Sequence, residues 1–189
     1  MLHQGDMTTD GSATKVASDR DYDAALDAAD GGPDYADLRA RVAALTMGET
    51  DPIALMATVA SKLHRSDARF DWTGFYRVAE PGVLKIGPYQ GGHGCTTIPF
   101  EKGICGVCAR TGEVQIVPDV DDVDDHIACS STTRSEIVLP VRDAAGTLIA
   151  VLDIDSDEPD AFDALDATGL AAILNDTFSR ATPLSVAAE

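Results

Sequence analysis

Two pairs of β-patterned segments, each closed by a tight turn, limit how this chain can fold. Trp72–Val78 and Val83–Tyr89 flank Ala79-Glu80-Pro81-Gly82, and Glu136–Arg142 and Thr147–Ile154 flank Asp143-Ala144-Ala145-Gly146. Gly and Pro at such junctions mark turns, so each pair reads as a hairpin. Helical patterning brackets them. Leu38, Val42, Ala43 and Leu45 recur at near-helical spacing from Tyr35, with Gly48 placed to end that helix. Asp51 is suited to cap a second helix, with Pro52 at its first position, running to about Arg65. Phe162–Arg180 reads as a C-terminal helix with Leu165, Leu170, Ile173, Leu174 and Phe178 largely on one side. Cys95–Phe100 and Val114–Pro118 read as further strands, Gly103–Thr111 as a short helix, and an acidic loop leads to His126-Ile127-Ala128-Cys129. This order predicts an α+β fold, an antiparallel sheet with helices packed on one face.

Residues 1–34 are rich in Asp, Ala, Gly, Ser and Thr, so burial cannot offset the entropy of ordering them. They are expected to form a disordered acidic tail, with a candidate short helix over Tyr22–Ala29. Residues 35–181 are expected to form one domain and residues 182–189 a short tail. A domain of about 150 residues buries roughly 68–70% of its unfolded surface, so it needs no disulfide staple or structural metal.

The full chain of 189 residues carries 32 acidic against 14 basic side chains, a net charge of −18. Phosphates would be repelled by such a surface, which sets nucleic acid aside as a partner. The acids are mostly Asp, and Lys occurs only as Lys15, Lys62, Lys85 and Lys102. That balance fits a halophilic protein, because at about 1 M salt a Debye length of ~3 Å screens self-repulsion. No stretch approaches the ~20 apolar residues of a membrane span, and the N-terminus lacks the pattern of a secretory leader. A cytoplasmic protein with no membrane partner is expected. In a reducing compartment its four cysteines read as catalytic, metal-binding or buried rather than as a structural disulfide framework.

Thiols and carboxyls cluster between residues 95 and 156. Cys95, Cys105 and Cys129 precede the strand Val151-Leu152-Asp153-Ile154-Asp155-Ser156. Asp153 and Asp155 alternate with apolar neighbours and therefore share one face of that strand. With Glu136 from the preceding strand they cannot all ionise cheaply, so at least one acid should stay protonated near neutral pH. A thiolate that can become a sulfenic acid and then a disulfide, beside an acid that holds a proton, suits reduction of a small molecule. Trp72 and Tyr76 fall on one strand face, as core packing or as a pocket wall. Cys105-Gly106-Val107-Cys108 has dithiol spacing without a thioredoxin-like context, and C-x9-C-x2-C-x20-C lacks the second C-x2-C of a zinc ribbon, so no metal is expected. His126 could contact a ligand or order its loop. Arg134 could lower the pKa of Cys129 if the chain folds back. Gly91-Gly92-His93-Gly94 reads as a flexible loop that lets Cys95 move. Neither a Ser/His/Asp elbow nor a phosphate loop nor a dinucleotide fingerprint is present, and no cofactor is expected.

Six segments in order carry a resemblance. They are Asp71-Trp72-Thr73-Gly74-Phe75-Tyr76, Ile86-Gly87-Pro88-Tyr89-Gln90-Gly91, Gly103-Ile104-Cys105-Gly106, His126-Ile127-Ala128-Cys129, Ser135-Glu136-Ile137-Val138-Leu139-Pro140 and the Val151–Ser156 strand. Across about Tyr35 to Ala181 the chain resembles the free methionine-(R)-sulfoxide reductases, which are built on a GAF domain. The resemblance implies a pocket on the sheet face opposite the helices. It also implies reduction of free L-methionine (R)-sulfoxide, with Cys129 as the attacking thiol, Cys95 as the resolving thiol and Cys105 as an alternative disulfide partner. Glu136, Asp153 and Asp155 match the substrate-binding and proton-donating acids, Asp155 making the main oxygen contact. Trp72 would wall the pocket, Tyr76 would shape it, and backbone N–H groups around Ile127 and Ala128 would receive the substrate carboxylate. A thioredoxin-type reductant and a homodimer are further implications. A ligand-sensing GAF module without turnover is the alternative reading. Cys108, Glu101 and the acidic tail lie outside the matched pattern.

Overall fold

The computed structural model describes residues 32–123 and 130–184. Among the described residues two helices come first, α1 (Tyr35–Leu45) and α2 (Pro52–His64), capped by the side chains of Asp34 and Asp51. Strands β1 (Trp72–Glu80), β2 (Val83–Gln90) and β3 (Thr97–Pro99) follow, then helix α3 (Gly103–Thr111) and strand β4 (Gln115–Val117). A 3₁₀ turn at Val120–Asp122 leads towards β5 (Ser135–Arg142), β6 (Leu148–Ser156) and helix α4 (Ala164–Phe178). The strands form one antiparallel sheet in the order β3-β2-β1-β6-β5-β4. Both expected hairpins are present, β1–β2 and β5–β6, and their turns use Gly82 and Gly146 at φ 76° and 80°, where a side chain would be strained.

The sheet separates two cores. On one face Phe75, Ile137, Leu139, Leu152 and Ile154 meet Leu38 and Val42 of α1, Leu55, Met56, Val59 and Leu63 of α2, and Leu170, Ile173 and Phe178 of α4. On the other face Trp72, Tyr76, Val138 and Val151 meet Ile104, Cys105, Cys108 and Ala109 of α3. The expectation of helices on one face holds for α1, α2 and α4, while α3 crosses the opposite face and roofs part of it.

Helix α4 departs from its expected stripe at Leu165, which is 75% exposed. The buried stripe runs Asp166, Leu170, Ile173, Leu174, Thr177, Phe178, and at about 100° per residue Leu165 lies nearly opposite Leu174. Asp166 occupies the buried position instead. It accepts from Tyr35 Oη at 2.7 Å and pairs with Arg69 at 3.1 Å, tying α1 and the loop before β1 to α4. Among the described residues no helix is long and apolar enough to cross a membrane. Residues 1–31 of the expected acidic tail, with the candidate helix over Tyr22–Ala29, and His126 and Cys129 lie outside the described residues, whereas Asp34 at the end of that tail caps α1.

Candidate active site

Alternation along three central strands sorts their side chains. Phe75, Ile137 and Ile154 face the helices, so Trp72, Gly74 and Tyr76 of β1, Glu136 and Val138 of β5, and Asp153 and Asp155 of β6 share the other face. Register then sets the neighbours. Asp155 stands between Trp72 and Glu136, and Asp153 between Gly74 and Val138. Glu136 and Asp153 are about 95% buried, and Asp155 is partly exposed.

Helix α3 adds a thiol to this face. Cys105 is buried and free, and its thiol hydrogen-bonds to Asp153. One ligand atom each from Cys105, Glu136 and Asp153 lies within 4.8 Å of the others. That spacing would admit a thiophilic divalent cation after slight contraction.

Burial is the main force on every one of these groups. It pushes Asp153 up to about 7, against hydrogen bonds from Cys105 and Glu136 that favour its ionised form. Glu136 is driven well above the usual carboxyl range by burial and then by Asp153 and Asp155. Asp155 moves the same way through burial, Asp153, Asp157 and Asp71. Cys105 is raised by burial and by the neighbouring Asp153 and Glu136. Cys108, also buried and free, is pushed up to about 12 by burial and then Asp153 and Glu136. The cluster therefore retains protons at neutral pH, and Asp153 Oδ1 is buried there without a hydrogen-bond partner.

A cavity of about 540 Å³ opens beside the cluster at Trp72 and Asp155. Asp71, Asp157, Gly92, His93 and the run Ser130, Ser131, Thr132, Thr133 complete its lining. Asp71 Oδ2 accepts from Asp157 N at 2.8 Å, and Trp72 Nε1 donates to the Gly92 carbonyl at 3.1 Å. Of the expected site residues, Trp72, Tyr76, Cys105, Glu136, Asp153 and Asp155 thus come together on one face. Cys95 packs at the edge of the same core and is disulfide-bonded. Cys129, Ile127 and Ala128 lie outside the described residues.

Two local features flank the cavity. Arg134 pairs with Asp119 at 2.8 Å, and Cys129, whose thiol it was expected to influence, lies outside the described residues. The loop after β2 is held closely at two of its glycines, since a Cβ at Gly91 would lie 2.7 Å from Asp71 O and one at Gly94 2.8 Å from Tyr76 Oη. Those two glycines serve close approach to the aromatic wall, while a Cβ at Gly92 would meet nothing within 4 Å. Asp157 and the Ser130–Thr133 run line the cavity without any sequence expectation, while Asp71 and His93 stood in quoted segments with no role assigned to them. The polar run beside Cys129 and the place of Asp71 in a matched segment were the signals that could have found them.

A GAF-domain family model matches residues 49–177. The chain is 41% identical over 122 residues to the free methionine-R-sulfoxide reductase of Escherichia coli, covering 65% of this chain and 73% of that one. It is 42% identical over 134 residues to Bacillus subtilis protein YtsP, covering 70% and 82%. The X-ray structure of the Neisseria meningitidis free methionine-R-sulfoxide reductase in complex with its substrate superposes with a TM-score of 0.72 at 39% identity, covering 77% of this chain and 87% of that one. Sheet, aromatic wall, buried acids and these matches agree: the chain belongs to the GAF-domain family, in the group that includes the free methionine-(R)-sulfoxide reductases.

Proposed function

We propose that this protein reduces free L-methionine (R)-sulfoxide to L-methionine through a thiolate, sulfenic acid and disulfide cycle. The observation that carries the reading is the trio of proton-holding carboxyls, Glu136, Asp153 and Asp155, on the face that bears Trp72. A sulfoxide oxygen is a poor leaving group until it is protonated, and an acid kept neutral by burial can supply that proton.

In this reading the Cys129 thiolate attacks the sulfoxide sulfur while Asp155, in contact with the oxygen, donates a proton. The S–O bond breaks, the hydroxyl passes to the Cys129 sulfur, and methionine leaves as a thioether. The Cys95 thiol then attacks the sulfenic acid, releasing water and closing a disulfide. Cys95 is disulfide-bonded, which supports its part as a resolving thiol. A thioredoxin-type dithiol restores the pair by exchange. Asp153 and Glu136 share protons with Asp155, Trp72 and Tyr76 wall the methylsulfinyl end, and the backbone of Ile127 and Ala128 receives the carboxylate. Residues 35–181 carry this chemistry as one catalytic unit, working in the cytoplasm as a homodimer.

A single-turnover experiment tests the cycle. Fully reduced protein mixed with excess methionine (R)-sulfoxide, without added reductant, is expected to release one methionine per subunit. Peptide mapping should then find Cys95 joined to Cys129, and Cys129→Ser should release none. Bound but unreduced sulfoxide in the parent protein would instead indicate a sensing module.

A further inference from the structure

Trp72 lies along β1 across a position that no other residue type could leave open. Its ring carbons Cη2 and Cζ3 pass over Gly74, where an added Cβ would sit 2.4 and 2.8 Å from them. The indole stacks on Tyr76 at a centroid distance of 5.8 Å and an interplanar angle of 25°. It also stacks on Tyr89 at 5.5 Å and 18°. Tyr89 is the register partner of Gly74 across the β1–β2 ladder. A Cβ at Gly74 would also meet Tyr89 Cβ at 2.5 Å, so β2 presses its tyrosine into the space that the glycine leaves.

The two tyrosines are differently placed. Tyr76 is 1% exposed and belongs to the core, whereas Tyr89 is 38% exposed at the rim. Tyr89 therefore gains little from the core, and Trp72 is the ring it stacks against. We propose that Tyr89 and Gly74 are positioning residues that fix the Trp72 indole in its wall-forming plane before ligand arrives. The inference rests on reading the cavity as the methionine sulfoxide site. Its physical basis is preorganisation: an indole whose χ angles are already set does not pay ordering entropy on binding. The wall touches ground state and transition state alike, so its loosening raises KM and leaves kcat nearly unchanged.

Trp72 is the chain's only tryptophan, so its fluorescence reports this ring alone. Acrylamide quenching, equilibrium binding of methionine (R)-sulfoxide and steady-state kinetics are compared in the full chain for Tyr89→Ala, Tyr89→Phe and Gly74→Ala. Tyr89→Ala is expected to increase quenching and to raise both Kd and KM about 3- to 10-fold, the size of one aromatic stack, with kcat within about twofold. Tyr89→Phe, which keeps the ring, restores all three. Gly74→Ala shifts quenching in the same direction. Unchanged quenching in Tyr89→Ala overturns the proposal, as does changed quenching with parental Kd and KM, or a Phe variant that behaves as Ala does. Should the parent protein neither bind nor turn over methionine (R)-sulfoxide, the functional reading fails, while quenching still decides whether Tyr89 fixes the ring.

Discussion

Glu136 and Asp155 stand directly opposite each other on β5 and β6, two acids paired in register where a sheet normally pairs opposite charges or apolar groups. Like charges at cross-strand positions are destabilising when ionised. Burial of Glu136 and the nearby Asp153 sharpen the conflict, and the cluster meets it by keeping protons.

The first prediction concerns pH and activity. Asp153 ionises at about 7, and the Cys105 hydrogen bond favours its charged form. If the protonated cluster is the proton source, kcat/KM falls as pH rises through that value. Cys105→Ala removes a donor to the carboxylate, so Asp153 rises further and the descending limb moves to higher pH. Profiles measured with a small dithiol reductant check this; a limb that stays in place or moves down contradicts it.

The same carboxyl predicts a stability effect of definite sign. Asp153 holds its proton to about 7 in the folded chain but only to about 3.9 when unfolded. The native state is the stronger proton binder between those values. This contribution is fully present below the unfolded value and is lost as pH rises through the folded one. Asp153→Asn cannot ionise, so its Tm should exceed the parent's at about pH 8 and differ less at about pH 4, while turnover drops. Equal Tm values at both pH values would contradict the assignment.

Packing at α4 gives a third prediction. Replacing a helical Gly by Ala favours the helix by about 1 kcal/mol. At Gly169, however, the new Cβ would lie 2.1 Å from Cγ of Tyr35, whose hydroxyl is tied to Asp166 at 2.7 Å. The ring cannot slide away, and overpacking of this kind costs about 1–3 kcal/mol. Gly169→Ala is therefore expected to lower Tm in thermal melts without changing turnover per folded molecule, since Gly169 lies on the sheet face away from the cavity.

Charge gives the fourth. A net −18 repels itself in dilute buffer, and exposed pairs such as Arg39–Asp176 offset little of it. Tm should rise when the protein is moved from dilute buffer to about 1 M potassium chloride. A Tm independent of salt would mark the acidity as a matter of solubility alone.

Much of this fold is legible in the sequence because its signals are local. Turn residues announce both hairpins, Asp51 and Pro52 announce α2, and a period of two puts Asp153 beside Asp155. Partners set by register or by the path of a helix are not local. That Glu136 faces Asp155, that α3 brings Cys105 to Asp153, and that Tyr89 meets Gly74 depend on how strands align. Leu165 misled because hydrophobicity alone fills a helical stripe, while here a buried Asp166 bonded to Tyr35 and Arg69 takes the core position.

The measurement that tests the central claim most directly is thioredoxin-coupled turnover of free methionine sulfoxide, with the R and S epimers assayed separately at low and at molar salt. The account predicts turnover of the R epimer alone, abolished in Cys129→Ser. Turnover of neither epimer by protein with an intact fold, or of both alike, would contradict it.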